Sequence, residues 1–285
     1  MIEKTYLAIG ASVFMHVSWN LLVRHQPKET YPLWWALAAH CLLLGPWGIY
    51  SLVTEVQWSS ELFICLSISA FANTLYFFAL KGAYARAQVT LVYPIIRSSP
   101  LLIALWSTLF FGEFLSKAAW AGIAFSVTGL FILAGAGWRN QDNRAIPWAI
   151  FAALATSLYS LSDKAATPLL PSFGAILGFI TVGYLLSLAA LTVQMRLQAG
   201  IWQPRLAPRP LLILMGGLSI GLAYALVIHA MRFFPAAEVV AFTNAGIVIA
   251  SILSISVFRE RSHWRSRVAG MLVICVGLTV LGISR

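Results

Sequence analysis

The chain has 285 residues, 60% of them hydrophobic and only 10% charged, and its mean hydropathy is +0.84. A soluble domain carries about 25% charged residues, so this chain has too little polar surface to coat a globule in water. Its formal charge of +10 is spread over short segments beside apolar runs, with no basic stripe or arm. That pattern argues for membrane topology and against a nucleic-acid partner.

Ten apolar runs follow one another, over residues 5–23, 31–53, 61–80, 87–111, 117–136, 146–166, 173–195, 209–230, 236–257 and 265–283. Each approaches the roughly 20 residues that cross a hydrocarbon core as a helix. Helices are expected because lipid offers the backbone no hydrogen-bond partner. The runs are continuous rather than alternating, which argues against a β-barrel. The first run lacks a small-residue cleavage site and reads as a retained span rather than a signal peptide. The expected fold class is an all-α, multi-pass protein of the plasma (inner) membrane with ten transmembrane helices. Cys41, Cys65 and Cys275 all fall in apolar runs without CxxC or Cys/His spacing, so no disulfide, metal or cofactor is expected.

The sequence also resembles itself at a fixed offset. Glu113 pairs with Glu260 at 147; Tyr76 pairs with Tyr224, Gly122 with Gly270 and Gly129 with Gly277 at 148. The expected organisation is a five-helix repeat over 1–137, a linker over 138–145 and a second five-helix repeat over 146–285. Five is odd, so the second repeat must insert upside down relative to the first. Thirteen of the 19 Lys and Arg fall in the loops of one side, five fall on the other, and Arg97 lies within a span. The bias flips between the repeats, as inversion requires. The cation-rich side is expected in the cytoplasm, with both termini extracytoplasmic.

Intramembrane polar groups are the candidates for function. None of the nine acids falls in the middle of a span; Asp163, beside Lys164 near the end of span 6, comes closest to burial. An interfacial Asp163–Lys164 pair is one reading of it, and a coupling role is the other. His16 and His40 titrate near neutral pH when unperturbed and could carry a coupling proton or simply fix helix packing. His16 and Asn20, four residues apart, share a helix face with Trp19 at its edge. Arg97 stands in "YPIIRSSP" between Pro94 and Pro100, about ten residues from either edge of its run. An arginine inside a bilayer costs several kcal/mol and faces the bundle interior or a wet cavity. The prolines remove the donors that would bond the carbonyls of Thr90 and Ile96, which predicts a kinked, opened span. Arg97 then either binds an anionic ligand or ties spans together through carbonyls, Tyr93 or Asp163. Its repeat mate is Asn244. Tyr76, Tyr93, Tyr159 and Tyr224 are the deeper tyrosines and second-tier lining residues. No HExxH, paired carboxylates or GxSxG elbow supports an enzyme.

"HVSWNLLVR" in span 1, "LYFFALKGAYARAQVTLVYPIIRSSPLL" across spans 3 and 4, "FGE" at 111–113 and "LYSLSDK" in span 6 together resemble the EamA-type branch of the drug/metabolite transporter superfamily. The resemblance covers essentially the whole chain and rests on order and spacing. It implies a ten-helix carrier, monomer or homodimer, with a central cavity lined by spans of both repeats. It implies small organic metabolites as substrates, often amino acids or amphipathic compounds, and frequently export by proton antiport with alternating access. Many members of the family are expected to have cytoplasmic termini, the opposite of the charge count here. Uptake of an organic anion or zwitterion is the alternative, and a membrane-embedded lipid-handling enzyme a more distant one.

Overall fold

The computed structural model describes residues 2–23, 26–27, 30–87, 89–135, 143–257, 259 and 264–283; the side chains of residues 20–23 and 89–90 lie outside that description. Thirteen α-helices are found among the described residues, with no strand. They are α1 (Ile2–Val23), α2 (Pro32–Leu43), α3 (Gly45–Thr54), α4 (Ser60–Tyr84), α5 (Val89–Ile96), α6 (Ser99–Phe111) and α7 (Lys117–Gly135). The rest are α8 (Ala145–Ala166), α9 (Phe173–Ala199), α10 (Pro210–Met231), α11 (Ala236–Phe242), α12 (Ala245–Ser256) and α13 (Trp264–Ile283). Among the described residues, eight spans are long and apolar enough to cross a membrane, and the bent pair α2–α3 makes a ninth. The chain is therefore an all-α, multi-pass membrane protein. The remaining expected run, residues 5–23, coincides with α1. Most of the expected linker, residues 138–142, lies outside the described residues.

Three of the expected spans are not single helices. The run at 31–53 bends by 52° between α2 and α3. Pro46 stands in the first turn of α3, and a proline there cannot donate to the carbonyl four residues back. The run at 87–111 divides into α5 and α6. Here α5 passes through Pro94 and stops at Ile96, and α6 starts at Ser99 with Pro100 in its first turn. The gap thus falls on Arg97 and Ser98, between the two prolines rather than at either. It also lies nearer the Val89 end, eight residues in, or about 12 Å at the helical rise, so Arg97 sits off-centre. The run at 236–257 divides at Thr243 and Asn244 without a proline. Tight i−3 bonds from Asn244, Gly246 and Ile247 (2.9–3.1 Å) and back-bonding of the Thr243 hydroxyl to the Val240 carbonyl at 2.6 Å account for it.

The chain forms two compact units, Met1–Thr74 with Ser162–Phe233, and Leu75–Leu161 with Phe234–Arg285. In the first unit α3 packs on α9, and α10 packs on α1, α2 and α9. Ser172 caps α9 by accepting from the Ala175 amide at 3.0 Å, and its own hydroxyl donates to the Glu55 carboxylate. That bond, with a second from Ser51, holds the exposed Glu55 carboxyl below its ordinary value. In the second unit α7 packs along α13. Gly122 meets the Gly277 carbonyl and Gly129 meets the Gly270 carbonyl; a Cβ on either would stand 2.8 and 2.6 Å from those oxygens. The order of these contacts is antiparallel. A separate apolar cluster joins α4, α5 and α8 through Ala79, Ala83, Leu91, Val92, Ala149 and Ala152.

Candidate functional site

Arg97 in the second unit and Asp163 in the first are both ionisable groups set inside helices, and the two are arranged differently. In the second unit the gap between α5 and α6 places Arg97. Its backbone amide still bonds the Tyr93 carbonyl at 2.9 Å, so the residue leaves α5 in helical register and its side chain lies over the turn before it. Nε donates to the Tyr93 hydroxyl at 3.1 Å, and the guanidinium carbon lies 5.3 Å from the Tyr93 ring centroid. Nη1 donates to Thr243 Oγ1 at 3.1 Å, in the gap between α11 and α12. Thr243 can accept because its own proton goes to Val240. Among the described residues of this unit, no carboxylate bonds Arg97. Its partners are neutral, and the residue is partly buried.

Tyr76 and Tyr159 stack edge to face with ring centroids 5.8 Å apart, and both lie close enough to interact electrostatically with Arg97. Arg97, Tyr93, Tyr76 and Tyr159 are therefore brought together. Asn244 is fully buried and turns towards α7, donating from Nδ2 to Ser126 Oγ at 3.2 Å. Its Oδ1 is buried without a partner. The residue that reaches Arg97 is Asn244's neighbour, Thr243, which the sequence reading did not single out. The available signal was its register: at the offset of 147, Thr243 maps beside Arg97, onto Ile96.

In the first unit Asp163 is fully buried. Ser69 Oγ donates to its Oδ1 at 2.5 Å, and the Tyr224 hydroxyl donates to its Oδ2. The expected interfacial pair with Lys164 is not what holds it, for Lys164 Nζ donates to the Met231 carbonyl at 2.6 Å. Successive residues on a helix point about 100° apart, so Asp163 can face α4 and α10 while Lys164 turns elsewhere. Ser69 was also missed. With Asn73 and Tyr76 it forms a polar stripe at i, i+4 and i+7 of span 3, the pattern of a single helix face.

His40, fully buried on α2, lies 3.0 Å from Thr181 Oγ1 by its Nε2. Thr181 Oγ1 also lies 2.7 Å from the Leu177 carbonyl, and the ring interacts with the Gly217 backbone as well. Nδ1 sits where a Cβ on Gly221 would be, 1.9 Å away, and Tyr184 lies edge-on at 5.0 Å. His40 thus joins α2, α9 and α10. Trp19 seats its ring on Gly216 of α10. His16 is half-buried on α1. The side chain of Asn20 lies outside the described residues.

Residues 4–135 match the profile of the EamA-like transporter family. The first half of the chain is therefore similar to the EamA type. The "uncharacterized transporter YwfM" of Bacillus subtilis (strain 168) is 30% identical over 143 residues, 49% of this chain and 47% of the relative. The chain thus aligns with about half the length of that relative. A solved crystal structure matches 99% of this chain and 98% of its own length at a TM-score of 0.72 and 20% identity, which shows a shared fold. The EamA match points to a transporter of the drug/metabolite superfamily and away from an enzyme.

Proposed function

We propose that this protein is a secondary active transporter of a small organic solute, amino-acid-like or otherwise carrying a carboxylate or phosphate, working by alternating access. The observation that carries the reading is Arg97. It is a permanent cation inside a membrane span, set in a helix gap and served by two hydroxyls and an aromatic face. Neutral donors and acceptors orient a guanidinium without neutralising it, so its planar fork remains available to an anion. Tyr76, Tyr93 and Tyr159 supply amphipathic surface beside it.

The architecture proposed with this function is ten spans in two inverted five-helix repeats. Two features support it. The gaps at Arg97–Ser98 and Thr243–Asn244 fall at equivalent places in the two halves. The contacts Gly122–Gly277 and Gly129–Gly270 exchange into each other when each residue is replaced by its mate 148 positions away, as a two-fold axis between antiparallel helices requires. Proton-coupled export across the plasma membrane is the proposed direction, with uptake of an organic anion as the alternative. Extracytoplasmic termini follow from the Lys and Arg bias.

A second reading has its own support. The bond from Arg97 to Thr243 joins two broken spans, so the arginine could serve as a tie between them. A thermal-shift screen of the detergent-solubilised protein with amino acids, phosphonates, nucleosides and polyamines separates the two. Anionic or zwitterionic compounds should stabilise the wild type and not Arg97→Gln. Stabilisation by polyamines alone, or equal stabilisation of both proteins, would overturn the ligand role.

A further inference from the structure

Asp163 is a carboxyl in the interior of the first unit, three residues before the end of α8 at Ala166, with no solvent exposure. Both oxygens are taken, one by Ser69 from α4 and one by Tyr224 from α10. Among the described residues of this unit no cation bonds it. The neighbouring Lys164 is engaged with the Met231 carbonyl. The titratable groups facing Asp163 are therefore Tyr224 from α10 and Cys65 from α4, whose carbonyl accepts from Ser162 at 2.8 Å.

A buried acid can be made permanent in two ways. A fixed cation keeps it charged, or a fixed acceptor keeps it protonated. Neither is present here. Hydroxyls serve both states: each donates to a carboxylate, and each can rotate to accept from a carboxylic acid. Such a site does not commit its carboxyl to one form. Ionisable groups inside membrane spans, where they are not paired as structural ions, belong to pathways and proton relays.

From this geometry we infer that Asp163 exchanges a proton during the working cycle and is the group through which solute movement is coupled to the proton gradient. The inference rests on the transport reading above, but its first half does not. In the step, an O–H bond forms at a carboxylate oxygen of Asp163 as water on one side of the membrane gives up a proton. It breaks when the proton is returned to water on the other side, and no electrons are transferred. Ser69 and Tyr224 act as positioning residues that reorient their hydroxyls with each change.

Two measurements test this separately. Infrared difference spectra of the protein in liposomes, taken between low and high pH without solute, should show a protonated-carboxyl band. The band should vanish in Asp163→Asn and return at a shifted frequency in Asp163→Glu. Its persistence in Asp163→Asn, or its absence from the wild type, overturns the proton site. Should Asp163→Asn fail to fold, Tyr224→Phe must shift the frequency or midpoint of the band by removing one donor, and an unchanged band is the contrary result. In the second measurement, vesicles under a one-unit pH gradient are given alanine and glutamate as probes. A one-for-one exchange sustains about a tenfold concentration ratio, and Asp163→Asn should fall to a ratio of about 1. Accumulation by that variant would overturn the coupling role. Failure of the wild type to move either probe would count against the transport reading, while the infrared result still decides the proton site.

Discussion

Asp163 and Arg97 are both ionisable groups inside spans, yet the protein treats them in opposite ways. Asp163 has no exposed surface and both of its oxygens are bonded, by Ser69 and Tyr224. Arg97 is partly buried, sits where the helix is interrupted, and spends two of its nitrogens on Tyr93 and Thr243. The difference follows from chemistry. A carboxyl can be neutralised by a proton and so can be sealed into a dry site. A guanidinium stays charged, and an ion sealed without a counter-charge costs too much. The acid site can be neutralised by a proton, while the arginine site holds its charge among neutral partners.

Breaking the arginine site should have the largest effect. A hydrogen bond to a charged group is worth about 1.5–3 kcal/mol, so Arg97→Gln should weaken binding of an anionic solute by roughly tenfold to more than a hundredfold. The scaffold that holds the site gives an effect of similar size on stability rather than on binding. Gly129→Leu places side-chain atoms where the Gly270 carbonyl stands, and overpacking costs about 1–3 kcal/mol. Gly10→Leu, at a position with nothing within 4 Å, should leave the melting temperature unchanged. Equal melting of the two variants would refute the close α7–α13 contact.

The first unit has its own test. Gly221→Ala would put a methyl group on His40 Nδ1 and should destabilise by about 1–3 kcal/mol, read by thermal melting. His40→Gln in the same background should recover part of the loss, because the displaced ring is the cause. The smallest effect sharpens the role of Thr243. Thr243→Val removes one acceptor from Arg97 while leaving its charge and its bond to Tyr93 in place. It should weaken solute binding a few-fold with little change in melting. If the arginine is only a tie between broken spans, melting falls and binding is unaffected.

Much of the membrane architecture was legible in the sequence, because hydropathy and length are local properties. Arg97 was legible for the same reason: a charge in an apolar run is conspicuous. What was not legible came from tertiary contacts. Asp163 lies close to the end of its helix, where a carboxyl ordinarily reaches water, and only the approach of Ser69 and Tyr224 encloses it. The interruption at Thr243–Asn244 carries no proline, so nothing in the local sequence marked it as strongly as Pro100 marks α6. The bend between α2 and α3 had its proline, Pro46, but an apolar run of 23 residues reads as one straight span. Asn244 was chosen for its polarity, whereas its neighbour makes the contact, a difference of about 100° around a helix.

The central claim is that Arg97 is held by neutral partners so that it can meet an anion. The most direct measurement is counterflow of a radiolabelled solute found by the ligand screen, in liposomes carrying matched amounts of wild type, Arg97→Lys and Arg97→Gln. Wild type should exchange the solute, Arg97→Lys should do so with weaker apparent affinity because charge survives without the fork, and Arg97→Gln should fall to the level of empty liposomes. Exchange by folded Arg97→Gln at the wild-type rate and affinity would contradict the account.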